Sequence, residues 1–126
     1  MKSYDAVVIG GGPAGMTAAL YLLRAGVKTA MVEKLAPGGQ VLMTSEIENY
    51  PGFPKGLQGW ELADKFANHL EDYDLHRIND EVRGIKVGSP WHTIVVGDEE
   101  IQAKTVVLAT GSRYRKLGVP GEDRLL

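Results

Sequence analysis

Apolar positions along the chain come in short blocks, spaced in some places as in buried strands and in others as in one-sided helices. Asp5-Ala6-Val7-Val8-Ile9 is a run rich in β-branched residues, suited to a strand buried on both faces. Gly10-Gly11-Gly12 ends it, and Pro13 stands where a first helical turn can do without an N–H. Ala14 to Ala25 is rich in Ala and Leu and runs into Gly26, which predicts a helix with a glycine cap at its C-terminus. Lys28 to Val32 reads as a second strand, ending at Glu33. A strand–turn–helix–turn–strand unit of this kind implies a parallel pair.

Residues 35–59 break the pattern, with Pro37, Gly38, Gly39, Pro51, Gly52, Pro54, Gly56 and Gly59 in one irregular stretch. Ordered connections of that length are uncommon and usually functional. A second helix is predicted from Trp60 to Asp72, with Leu62, Phe66 and Leu70 forming its apolar stripe. Trp60, Phe66 and Leu70 are expected in the core or a subunit interface. Short strand-like pieces follow at Leu75–Ile78, Val82–Val87, Thr93–Val96 and Ile101–Ala103. The breaks at Gly88-Ser89-Pro90 and Gly97-Asp98 look like hairpin turns, so this part is expected to be antiparallel. Thr105 to Leu108 is a further strand, ending at Ala109-Thr110-Gly111, and Ser112 to Leu126 has no clear periodicity.

Composition narrows the function. With 126 residues there is room for one domain around one core. The 14 Lys+Arg against 16 Asp+Glu give a net charge of −2, without the basic excess of a nucleic-acid binder. No run approaches the roughly 18 apolar residues of a membrane span. Met1 to Asp5 lead straight into a strand, so no signal peptide is expected. These residues include 0 Cys, which excludes a disulfide, a thiolate-bound metal and a Cys nucleophile from them. Glycine is the outlier, at 16 residues or roughly twice the usual share. The glycines cluster, which suggests backbone that turns tightly or approaches something closely.

The clearest cluster is Gly10-x-Gly12-x-x-Gly15. The pattern alone is weak, since a glycine-rich turn beside a surface acid would also produce it. Its context is stronger: a strand before it, a helix after it, and Glu33 at about the 20-residue offset of dinucleotide sites. Gly10 would permit the sharp turn, Gly12 the approach of a pyrophosphate, and Gly15 close packing of helix on strand. The helix N-terminus would offer N–H groups and partial positive charge to phosphates. Glu33 could accept from both hydroxyls of an adenosine ribose and would repel a 2′-phosphate, which predicts FAD or NAD over NADP. Taken alone, Thr105 to Gly111 is a buried strand with a turn. His69, His76 and His92 lie at no ligand-like spacing, so no metal site is expected. Glu46 and Glu48 read as solvated loop acids, and Arg113, Arg115 and Lys116 as solvated hinge residues. No Gly-x-Ser-x-Gly elbow is present, and no residue stands out as a catalytic acid, base or nucleophile.

Together, the Gly10–Gly15 and Thr105–Gly111 segments resemble the paired motifs of FAD-binding domains in two-dinucleotide flavoproteins, with Val82 to Ala103 as the antiparallel piece between them. Gly38-Gly39-Gln40, Glu46-Ile47-Glu48-Asn49-Tyr50-Pro51-Gly52-Phe53 and Gly118-Val119-Pro120-Gly121-Glu122 are similar to segments of low-molecular-weight bacterial thioredoxin reductases, so the resemblance covers essentially the whole chain. It implies a three-layer α/β, FAD/NAD(P)-binding Rossmann-like fold: a parallel sheet, helices on one face and a small antiparallel sheet on the other. Residues 1–111 would be the N-terminal part of the FAD-binding domain, and 112–126 a hinge towards an NADPH-binding domain. The implied FAD site comprises Gly10, Gly11, Gly12, Pro13, Ala14 and Gly15 at the phosphates and ribityl chain. Glu33, Lys34, Gly39 and Gln40 would lie along the cofactor, with Gln40 and Asn49 towards the flavin. Val82 would meet the adenine through its backbone, and Ala109, Thr110 and Gly111 would close the site. The implied activity passes electrons from NADPH to FAD, to a Cys-x-x-Cys disulfide and to thioredoxin, in a cytoplasmic homodimer. In the family the NADPH domain and the Cys pair lie beyond the position of Leu126, so these 126 residues alone are expected to be inactive. One alternative is a thioredoxin-reductase-like ferredoxin–NADP reductase, which Glu48-Asn49-Tyr50-Pro51-Gly52 disfavours. The other is a stand-alone, non-enzymatic FAD-binding module.

Overall fold

Val7, Val8 and Ile9 are buried on both sides of the strand they belong to, β1 (Ser3–Ile9), and the rest of the fold is arranged around it. The computed structural model describes residues 1–35, 37–112 and 115–125; Arg113 of the expected hinge lies outside the described residues. After β1 come α1 (Pro13–Arg24), β2 (Thr29–Val32), a 3-10 turn (Gly39–Met43), α2 (Gly59–His69), β3 (His76–Ile78), β4 (Val82–Lys86), β5 (His92–Val96), β6 (Glu99–Leu108) and the four-residue α3 (Glu122–Leu125).

All six strands join one mixed sheet in the order β3-β2-β1-β6-β5-β4. β1 pairs in parallel with β2 and with β6, while β4, β5 and the start of β6 pair antiparallel. The fold class is the expected α/β Rossmann-like one, with three differences in its elements. β3 was grouped with the antiparallel pieces but runs parallel to β2, because α2 carries the chain back across the sheet before it. Ile101–Ala103 and Thr105–Leu108 are one strand; its first half pairs with β5 and its second half only with β1. The second helix stops at His69, with Leu70 as its cap.

Two cores result, one on each face of the sheet. On the helix side Val8 and Met31 meet Met16 and Ala19 of α1, Leu70 and the half-buried Phe66. On the other side Val7, Ile9, Ala30 and Val32 are covered by Ile94, Val96, Ile101 and Ala103 of the antiparallel strands. Each such aliphatic side chain contributes about 1.5–3 kcal/mol when fully buried. Tyr4 adds a polar tie to this second core: its hydroxyl and His76 Nδ1 are hydrogen-bonded, and burial pushes its pKa up. Trp60, expected in the core or an interface, is 59% exposed, because Leu62 and Ala63 provide the buried face of α2.

Local signals set the helix ends. Past Arg24 the N–H of Gly26 bonds the Leu23 carbonyl and that of Val27 the Leu22 carbonyl, 3.0 Å each, around a glycine at φ +77°. At the start of α2 Gln58 and Glu61 form a reciprocal capping box.

Gly15 makes the tightest helix-on-strand contact, since a Cβ there would overlap the Gly10 carbonyl oxygen and lie 3.4 Å from Val8 Cγ1. Gly15→Ala is therefore expected to cost roughly 1–3 kcal/mol of stability in urea titrations. Gly12→Ala, whose Cβ would meet nothing nearer than 3.8 Å, should stay within about 0.5 kcal/mol of the parent. Equal losses in the two variants would refute this division of roles.

Candidate dinucleotide site

The C-terminal ends of β1 and β6 lie side by side at the point where the sheet changes direction, with β2 on one side of β1 and β6 on the other. In open α/β sheets ligands bind in the crevice beyond such a switch point. Gly10 turns the chain there at φ +112°, and a Cβ on it would overlap the Ala109 carbonyl oxygen. The Gly10 N–H bonds Val32 O at 2.9 Å and the Ala109 N–H bonds Ile9 O at 2.8 Å, so both strand ends are pinned to the turn.

From this turn α1 begins with Gly12 as its N-cap. Gly12 has no side chain to cap the helix, Pro13 follows, and no acid occupies the first turn. Helix N–H groups at this end lack helical partners, and here no side chain of the cap takes them. The local arrangement therefore suits an anion.

Glu33 stands directly after β2, half-buried, and its carboxylate accepts from the Gly11 N–H and, at 3.1 Å, from the Leu35 N–H. The expected ribose acceptor thus also braces the glycine turn, a role its spacing alone did not reveal. Its own N–H bonds Ile78 O at 3.0 Å, which draws the end of β3 alongside. Lys34 Nζ lies 3.6 Å from Glu81 Oε1, so Val82, the first residue of β4, sits next in sequence to that ion pair.

The irregular stretch closes a third side. The Gly38 N–H donates to Gly11 O at 2.8 Å, and a Cβ on Gly39 would lie 3.3 Å from Gly12 Cα. Gln40 Nε2 donates to Ser112 O at 2.8 Å, bridging to the segment after Ala109-Thr110-Gly111. Backbone contacts and short side-chain bridges therefore bring together Gly10 to Gly15, Glu33, Gly39, Gln40 and Ala109 to Gly111. Asn49 is exposed in the loop closed by the Ile47–Leu57 pair, and among the described residues no side-chain hydrogen bond joins it to this cluster. Ser112 is the member of this contact network that the sequence does not point to. Ser112 acts through its backbone and carries no sequence signal, whereas the Gly38-Gly39 pair pointed to close approach. A groove of about 480 Å³ lined by Lys2, His76, Asp80, Val96, Asp98 and Ile101 includes none of the expected site residues.

A family model described as pyridine nucleotide-disulphide oxidoreductase matches residues 4–126. The chain belongs to the pyridine nucleotide-disulphide oxidoreductase family. It is 40% identical over 124 residues to a thioredoxin reductase of Bacillus subtilis, covering 98% of this chain and 39% of that protein. It superimposes on the Lactococcus lactis thioredoxin reductase in the FR conformation with a TM-score of 0.91 and 44% identity, over 95% of this chain and 39% of that one. A ferredoxin-flavin thioredoxin reductase of Clostridium acetobutylicum aligns over 100% of this chain and 43% of its own, at 28% identity and a TM-score of 0.83. The chain thus spans about two fifths of the length of the relatives it matches.

The brace by Glu33 can be measured without any nucleotide. Glu33→Gln replaces one of two acceptor oxygens with a donor facing a backbone N–H, and should cost roughly 1–3 kcal/mol in chemical denaturation. Lys34→Ala, which removes only an exposed ion pair, should cost less than about 1 kcal/mol. A Glu33→Gln protein as stable as its parent would show that the carboxylate braces nothing.

Proposed function

We propose that this chain is the FAD-binding portion of a thioredoxin reductase-like flavoenzyme, with residues 1–111 in the FAD-binding domain and 112–126 as a hinge. The observation that carries the proposal is the start of α1, where the cap residue Gly12 brings no side chain and no acid occupies the first helical turn. A Cβ on Gly12 would come into ordinary van der Waals contact with Gly38 O at 3.8 Å and Gly39 Cα at 3.9 Å, so only backbone lines the start of the helix here, and a phosphate could approach its N–H groups without meeting a side chain. The residues present fit a dinucleotide: helix N–H groups for the pyrophosphate and a carboxylate, Glu33, for the ribose. Val82 would offer backbone groups to the adenine, and Gln40, with one amide N–H on Ser112 O, and Asn49 would lie on the flavin side without adding charge.

When bound, FAD would supply the redox chemistry. The chain's own part is to hold the pyrophosphate at Gly11 to Gly15, to orient the ribose against Glu33, and to keep backbone rather than side chains at the close approaches of Gly39 and of Ala109 to Gly111. Supporting this is membership of an oxidoreductase family and the likeness to thioredoxin reductases along the whole chain. The activity proposed for the whole protein is NADPH-dependent reduction of thioredoxin, in a cytoplasmic homodimer. The redox dithiol has to come from outside these residues, which contain 0 Cys. A ferredoxin-supplied route is the second reading, favoured by the likeness to the Clostridium enzyme. Oxidation of NADPH or of reduced ferredoxin by the whole protein distinguishes the two.

The chain should bind FAD and show a band near ~450 nm. Gly12→Val should abolish flavin retention while leaving far-UV circular dichroism largely intact, since the substitution adds its side chain at the helix cap, outside the sheet and both cores. Flavin retained by Gly12→Val would reduce the motif to a turn. The 126 residues alone should show no NADPH-driven thioredoxin reduction, and turnover by a preparation of confirmed mass would overturn the proposal.

A further inference from the structure

The segment from Gly38 to Thr44 depends on anchors outside itself. Its 3-10 turn is five residues long, and 3-10 hydrogen bonds are individually poor, so such a turn has little stability of its own. None of the residues of the turn itself, Gly39–Met43, is buried. Three contacts hold it. The Gly38 N–H bonds Gly11 O at 2.8 Å and ties its start to the glycine turn. Gly59 of α2 packs so closely beneath it that a Cβ there would overlap the carbonyl oxygens of Val41 and Thr44. The third contact is the Gln40 amide, donating to Ser112 O at 2.8 Å across 72 positions of sequence. The first two anchor the turn to the glycine turn and to α2, and among the described residues the Gln40 side chain alone bonds it to the segment that follows β6.

We propose that Gln40 is a positioning residue: through its N–H bond to the Ser112 carbonyl it latches the Gly38–Thr44 segment to the end of β6 and sets the gap between the two walls of the crevice. One N–H of the Gln40 amide is therefore engaged by the protein, and Gln40 acts on a bound dinucleotide through the position of Gly39 and of the Ala109–Ser112 strand end. Its effect on the cofactor rests on the FAD reading above; the latch itself does not.

The test separates the two on the full chain. Hydrogen exchange without nucleotide reads the latch in wild type, Gln40→Met, which removes the donor, and Gln40→Lys, which keeps one on a flexible stem. Gln40→Met should lose about fivefold to tenfold in protection at the amides of residues 39–44 and 110–112, with the β1 and β2 amides unmoved. Gln40→Lys should retain the wild-type protection. Unchanged protection in Gln40→Met, or equal loss in Gln40→Lys, overturns the latch. In the presence of FAD, Gln40→Met should release flavin several-fold faster, read by recovery of flavin fluorescence, with association little changed. Release as slow as wild type would overturn the positioning role at the cofactor. A wild-type chain that binds no FAD would overturn both that role and the proposed function, while the exchange experiment still decides the latch.

Discussion

The constraint on which the rest of the structure depends is the backbone crowding at the end of β1. The Gly10 carbonyl fills the space where a Gly15 side chain would stand, and the Ala109 carbonyl fills the space where a Gly10 side chain would stand. The end of β1, the start of α1 and the distant end of β6 therefore meet with no side chain between them. Close packing makes this intolerant of even one added carbon. It also fixes how α1 leaves the sheet, and so where its N-terminus points.

Around that point the polar groups are satisfied by short, mutually dependent bonds. Glu33 takes the N–H groups of Gly11 and Leu35, Gly38 donates to Gly11, and Gln40 donates to Ser112. Each bond is worth little alone, but together they hold backbone, rather than flexible side chains, along the edge of the crevice. A site built this way is placed before any ligand arrives, which lowers the ordering cost of binding. The antiparallel strands contribute indirectly: they bury the far face of β1 and β2 and bring the start of β4 towards Glu33.

Much of this could be read from residue order because local chemistry dictates it. The β-branched run of β1, the Pro13 start and Gly26 stop of α1, and the stripe of α2 follow from propensity, capping and periodicity, none of which needs a distant partner. The spacing of Gly10, Gly12, Gly15 and Glu33 brings them together in space for a related reason: all four belong to one strand–helix–strand unit, so their separations along the chain become distances. The resemblance to thioredoxin reductases added the third glycine cluster and the Ala109–Gly111 strand end.

Tertiary structure alone decided the rest. The direction of β3 depended on α2 carrying the chain back over the sheet, which strand-like residues at His76–Ile78 do not encode. The joining of Ile101–Ala103 to Thr105–Leu108 as one strand depended on β1 pairing with it from Gln102 to Leu108, across the point at Ala103 where its pairing with β5 ends. Trp60 is exposed because α2 turns Leu62 and Ala63 inward, a choice its neighbours make. The brace from Glu33 to Gly11 and the bridge from Gln40 to Ser112 span 22 and 72 positions and end on backbone atoms. Every residue carries the same carbonyl and every residue but proline the same N–H, so residue identity rarely marks which of them a distant side chain will find. Residue order was enough to place the glycines and the acid of one strand–helix–strand unit together, and packing settled which backbone atoms they bond, because those partners lie on other elements.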